Sequence, residues 1–449
     1  VLKYKLSKDQ ELTPELIKKI IEKHKQNQIP RLQKLDDYYH TKNKILQRTM
    51  TDDSKPNNKV AHPYASYITD TLTGYFMGEG VTYSSLEDDA LNELTMVLEY
   101  NDSQDEDMEL AKDMSIFGEA VELLYIDEEG STRIKRLDPR EVILVYDDTL
   151  NEDILYAIRY YECEDILKEQ KYYMIEVYTD KDFTIYKSDV NINNLDFISS
   201  KEHYFETVPV CEFCNNEEEI GDFEPVISLI DAYDQMEADS LNDFEYFVDA
   251  YLCLTGLVAD NEDVAAMKQN RILLLDNDSD AKWLVKDTND SNIENVKTRL
   301  DSDIHKFSKV PDMSDESFSG NASGVAIKYK TLPMENVVAI KERKFKKGLQ
   351  RRIELIFNIL AKASSLYDWR AINITFTRNL PTNDSEVAAM ISTLSGIVSN
   401  ETLLAQVPFV EDVQDEVERL DEEKKKNPFY DTRLGYVGED DGTQDKTEE

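Results

Sequence analysis

Long apolar runs are missing from this chain. Nowhere do 18 consecutive apolar residues occur, which excludes a helix that spans a bilayer, and the opening stretch VLKYKLSKDQELTPEL lacks the apolar centre of a signal peptide. Cysteine is scarce. Cys163, Cys211, Cys214 and Cys253 are too few and too scattered for a disulfide framework, so synthesis in a reducing cytoplasm is expected. None of the 14 glycines falls in a G-x-x-x-x-G-K-[ST] phosphate loop, H-E-x-x-H is absent, and His24, His40, His62, His203 and His305 are dispersed. Positive charge is also short, with 51 basic against 92 acidic residues and a net charge of −41. A chain of that sign repels nucleic acid and anionic membranes as a whole, which argues against a sequence-specific DNA binder.

What is present describes a folded protein. Apolar residues make up 41% of 449, a normal share for a packed core, and the length suggests two to four domains. Thr13 can cap a helix with Pro14 at its first position, and Leu16, Ile17, Ile20 and Ile21 then share a face. Pro30 ends that helix or begins the next. Pro63 opens a second amphipathic segment, and a helical pair is expected over Asp88 to Phe117. From Glu119 the period changes to two. EAVELLYID, TRIKRLD, EVILVYD, ILYAIRYYEC, KYYMIEVYT and FTIYK read as short strands of one antiparallel sheet, so the fold class is α+β.

The second half is punctuated by charge. Between Asn215 and Ala250 there are twelve acidic residues and no Lys or Arg, whereas Ala322 to Ala363 holds ten basic and three acidic residues. A long helix is expected from Pro225 to Tyr251, one face apolar and the other acidic. Short strands follow (LCLTGLVAD, RILLLD, AKWLVKD), then a helix opened by a capping box from Ser291 to Glu294 and ended by Pro311. PDMSDESFSGNASG reads as a long polar loop. A basic helix from Val325 to about Leu366 contains Pro333, which should kink it. INITFTRNLP reads as a strand, Ser385 to Asn427 as two or three helices, and the last twenty or so residues as frayed.

The order of these parts, with the blocks NNKVAHPYASYITDTLTGYFMGEGVTY, EFCNNEEEIGDFEPVISLIDAYDQMEADSLNDFEYFVDAYL and SGNASGVAIKYKTLPMENVVAIKERKFKKGLQRRIELI, resembles the portal proteins of long-tailed phages that infect Gram-positive bacteria. That resemblance implies a ring of about twelve subunits at one capsid vertex. It implies a mixed α/β wing over 1–224, stem helices over 225–251 and 288–311, and a small strand-rich clip over 252–287. A tunnel loop over 312–324, a kinked helix with a returning wing strand over 325–384, a helical crown over 385–427 and a disordered tail over 428–449 complete the map. Implied partners are further copies of the chain, double-stranded DNA bound without sequence preference, the terminase, a head-completion or connector protein, and capsid and scaffold proteins. No membrane is involved; the virion, and the host cytoplasm during assembly, are the expected locations. ATP hydrolysis belongs to a partner, so no catalytic residue and no cofactor is expected.

Several residue sets bear on chemistry. The C-x-x-C of Cys211 and Cys214 has zinc spacing, but no second ligand pair exists beyond His203, and on a strand positions i and i+3 face opposite ways, so strand packing is expected. Asp276, Asp278, Asp280 and Asp287 imitate a calcium loop without its glycine, which favours a solvated turn. In the tunnel loop, Asp312, Ser314, Asp315, Glu316, Ser317, Ser319 and Asn321 offer a polar edge to DNA. Lys328, Lys330, Lys341, Arg343 and Lys344, with Lys346, Lys347, Arg351 and Arg352 beyond them, either neutralise the acidic helix of a neighbouring subunit, touch DNA phosphates, or are simply solvated. A mostly acidic or polar bore would let DNA slide where a basic one would brake it, provided the acidic helix faces the tunnel. The rival readings are a metal-dependent DNA-processing enzyme and a ring-forming head-tail adaptor without a packaging role.

Overall fold

The computed structural model describes residues 3–52, 55–248, 251–255, 280–284, 290–314, 324–363, 367–379 and 384–404, with residues 406, 407, 410, 413, 416, 417, 419 and 420 beyond them. The chain divides into a large unit, Val1–Asn379, and a small one, Leu380–Glu449.

The large unit begins with a short strand, β1 (Tyr4–Leu6), and helix α1 (Pro14–Asn27), capped by Thr13, whose hydroxyl accepts from the Leu16 amide. Pro30 lies in the first turn of α2 (Ile29–Tyr39), so it opens a helix. Then come α3 (Tyr64–Met77), β2 (Thr82–Ser84), α4 (Asp88–Tyr100) and α5 (Ser103–Phe117), which ends at Gly118 with φ +87°. A Cβ there would lie 2.1 Å from the Glu219 carbonyl oxygen, so only glycine fits this turn.

Eight strands follow: β3 (Glu119–Ile126), β4 (Thr132–Leu137), β5 (Val142–Asp147), β6 (Ile154–Asp165), β7 (Gln170–Tyr178), β8 (Asp182–Asp189), β9 (Asp196–Glu202) and β10 (Val210–Cys214). They form two sheets where one was expected, ordered β1-β5-β6-β7-β8-β9 and β10-β3-β4. The larger is not wholly antiparallel, because β1 joins β5 in parallel register, Tyr4 opposite Val145. β5 explains the division. All six of its residues are buried, since it is covered on both faces. Ile143 and Val145 pack with Ile17, Ile20 and Ile21 of α1. Val142, Leu144 and Tyr146 pack with Val121, Leu123, Leu137 and Val210 of the smaller sheet.

The acidic helix α6 (Ile227–Val248) starts after a short 3-10 turn at Glu224–Val226 and ends three residues before the expected Tyr251, which instead opens β11 (Tyr251–Thr255). β11 pairs antiparallel with β12 (Asp280–Leu284), and α7 (Asp290–Ser308) returns to pack on α6. The segments 256–279 and 285–289, with most of the expected clip including Asp276, Asp278 and Asp287, lie outside the described residues; Asp280 opens β12. Because α7 begins at Asp290, Ser291 sits inside its first turn and does not cap it. Helix α8 (Gly324–Ala363) runs unbroken through Pro333 and packs on β10, and β13 (Asn373–Thr375) pairs with β2. In the small unit, the described residues include α9 (Asp384–Leu394), α10 (Asn400–Leu404) and further helical residues between 413 and 420; the expected tail, 428–449, lies outside the described residues.

Candidate functional site

The charged elements α6, α7 and α8 and the turn after α7 are where the sequence points for function, and the structure gives many of these charges a defined setting. The acidic face of α6 is turned onto residues 38–62 of its own chain. Asp234, fully buried, accepts from Asn43 Nδ2 at 2.6 Å, from the His62 amide at 2.9 Å and lies 2.8 Å from His62 Nδ1. Tyr38 donates to Asp231 at 2.5 Å, Arg48 pairs with Asp239 at 2.6 Å, Asn58 donates to Glu245 at 2.8 Å, and Glu237 meets Lys297 of α7 at 3.1 Å. These acids therefore bind the helix to residues 38–62 of its own chain, which bulk composition cannot reveal: in sequence, the same face could equally serve a tunnel or a neighbouring subunit.

The foot of the polar loop is fixed with equal care. Lys309 takes φ +65°, reversing the chain after α7, and Val310 is buried. Tyr67 of α3 donates to the Pro311 carbonyl at 3.0 Å and accepts from the Met313 amide at 2.9 Å. Asp312 accepts from the amide and hydroxyl of Ser314 at 2.9 and 2.7 Å, closing a local turn. Tyr64 donates to Asp301 of α7 at 2.6 Å; burial, strengthened by that carboxylate, raises its phenol well above the ordinary value. Asp315, Glu316, Ser317, Ser319 and Asn321 lie outside the described residues.

Along α8 the basic side chains fall into two groups. Lys341 is buried and pairs with Asp222 at 2.5 Å, an acid that also accepts from Ser115 and Asn215. Lys344 pairs with Glu217, Lys346 donates to the Ile374 carbonyl, and Arg351 pairs with Glu354 and bonds Thr207 and the Val208 carbonyl. Arg352, wholly buried, holds Glu122 and Asp107 at 2.5 and 2.6 Å. Burial alone would depress its charge, but the two carboxylates hold it ionised. By contrast Lys328, Arg343 and Lys347 are exposed, and Lys330 is half-buried. Nothing in sequence spacing marks Lys341 and Arg352 as interior; only their i and i+11 positions, on the face that carries Phe345 at i+4 and Leu349 at i+8, hint at it.

The two cysteines of the C-x-x-C separate across β10. Cys211 is buried on the side of Glu122 and Arg352, while Cys214 lies with Glu212 and Glu219 on the other side. Burial raises both thiols. His203 is engaged elsewhere, with Nε2 2.9 Å from the Thr179 carbonyl oxygen.

Taken with this architecture, comparison with known proteins defines the class. Residues 18–428 match the family model of the phage portal protein, SPP1 Gp6-like, and the chain belongs to that family. It is 28% identical over 97% of its length to the portal protein of Bacillus phage SPP1, covering 90% of that protein. It is 26% identical over 87% of its length to the portal protein of Clostridium phage phiCD119, covering 91% of that one. Phage portal proteins are structural components of the virion. No helix among the described residues is long and apolar enough to cross a membrane.

Proposed function

We propose that this chain assembles, about twelve copies to a ring, into the portal vertex of a phage capsid, serving as the conduit for DNA in packaging and ejection and as the docking site for terminase and head-tail connector proteins. The family match over residues 18–428 carries the reading. The surface supports it: Phe244 on α6 is 71% exposed and Tyr329 on α8 is 74% exposed, and Leu241 on α6, Val296 and Phe307 on α7, and Leu332 and Ile340 on α8 are also exposed. Exposed apolar side chains on long helices are what neighbouring copies would cover. On this reading α6 and α7 are the stem, β11 and β12 the base of the clip, residues 312–324 the loop towards DNA, α8 the helix behind it and residues 385–427 the crown. Lys328, Arg343 and Lys347, all exposed, are the cations of the set best placed to meet a neighbour's acids or phosphate. Native mass measurement and negative-stain imaging test the proposal. Closed rings at a multiple of 51.9 kDa are expected, and a monodisperse monomer at every salt concentration would refute it.

A further inference from the structure

His305 stands where α7 meets the turn that follows it, with its ring edge-on to Tyr64 and Tyr67 at centroid distances of 6.0 and 5.6 Å. Its Nδ1 lies 3.1 Å from the Val310 carbonyl oxygen, an atom that can only accept, so Nδ1 carries the proton. In the neutral ring that leaves the lone pair on Nε2. Nε2 lies 3.7 Å from Asp301 Oδ1, one helical turn earlier, too far for a hydrogen bond. Asp312, brought back by the reversal at Lys309, completes a set in which one ligand atom from each residue lies within 4.8 Å of the others. The geometry points to a zinc-class divalent metal site formed by His305 Nε2, Asp301 and Asp312, which clips the foot of the loop to the end of α7.

The chemistry fits on three counts. Donor atoms on a tetrahedral centre with bonds of about 2.0–2.1 Å stand about 3.4 Å apart, close to the 3.7 Å found for Asp301 and His305. The ring nitrogen not used for the metal is fixed by a backbone carbonyl, the outer-shell arrangement that metal-bound imidazoles commonly have. One ligating carboxylate is oriented by a hydrogen bond, from Tyr64. Three protein ligands leave a fourth position for water.

The experiment titrates zinc chloride into metal-stripped full-length protein. About 10 mM magnesium chloride is present to occupy ordinary acidic surface, since magnesium prefers all-oxygen sites. One magnesium-resistant zinc per chain is expected. His305→Ala should weaken binding at least a hundredfold and Asp312→Asn at least tenfold, while Cys214→Ser leaves it unchanged. X-ray absorption of the zinc-loaded protein should show only nitrogen and oxygen neighbours. Absence of saturable binding, retention of full affinity in His305→Ala, or sulfur scattering near 2.3 Å from Cys214 overturns the assignment. Circular dichroism checks each variant, and Asp312→Asn, in the turn outside the helix, carries the test if His305→Ala does not fold.

Discussion

Arg352 shows no exposed surface and faces two buried carboxylates, so its removal leaves Glu122 and Asp107 uncompensated in the core. Replacing it with leucine should cost about 3–5 kcal/mol, read as a lower midpoint in chemical denaturation. Converting all three residues to apolar ones of similar volume should recover most of that loss, because a buried ion cluster adds little over good packing; a triple variant as weak as the single one would contradict this. His24 is a different case. Burial holds its pKa down at about 4, and its Nδ1 lies 2.7 Å from the Tyr160 hydroxyl. An unfolded histidine takes up a proton below about pH 6.5. The folded one resists until about pH 4, so stability falls as pH drops between those values. His24→Gln, which keeps an acceptor for Tyr160, should flatten the melting temperature against pH in that window, and an unchanged slope would assign the acid sensitivity to other groups.

At the scale of elements, the join between α8 and β10 turns on Gly348. A Cβ there would lie 2.4 Å from the ring of Phe213, which is buried and packs against Phe345 at 4.8 Å between centroids. Gly348→Ala gains about 1 kcal/mol of helix propensity. Overpacking a closed core costs about 1–3 kcal/mol, so net destabilisation is expected, and a raised melting temperature would show that Phe213 can yield. Element types were largely readable from period and caps: Thr13 with Pro14 set the start of α1, and the alternation in ILYAIRYYEC and KYYMIEVYT set β6 and β7. β1 was not readable, because three residues carry no period, and its place beside β5 rests on pairing with a strand about 140 residues away. The apolar run in β5 did announce a strand, but only packing shows α1 on one face and a second sheet on the other.

At the scale of the whole molecule, the proposed ring with residues 312–324 towards DNA has a direct test. On that proposal, replacing Asp315 and Glu316 by Lys would add positive charge from every subunit at one level of the channel. Phosphate binding there would be strongest at low salt. Rings should form and enter capsids while packaging stalls, with partial relief as ionic strength rises. Full-length packaging at an unchanged rate in low salt would take this loop out of the channel.

By itself the sequence determined the class of fold, most element boundaries, and family membership, because periodicity, caps and the order of blocks are local or linear properties of the chain. The tertiary structure alone decided which charges serve the fold. Asp234 and Asp239 of α6 bind residues from the first sixty of the chain, Lys341 and Arg352 of α8 enter the core, and Asp301, His305 and Asp312 converge at one turn. The physical reason is that a charge reads the same in sequence whether water or a buried counter-charge surrounds it. Only the path of the chain brings residues 191 or 245 positions apart within hydrogen-bonding distance.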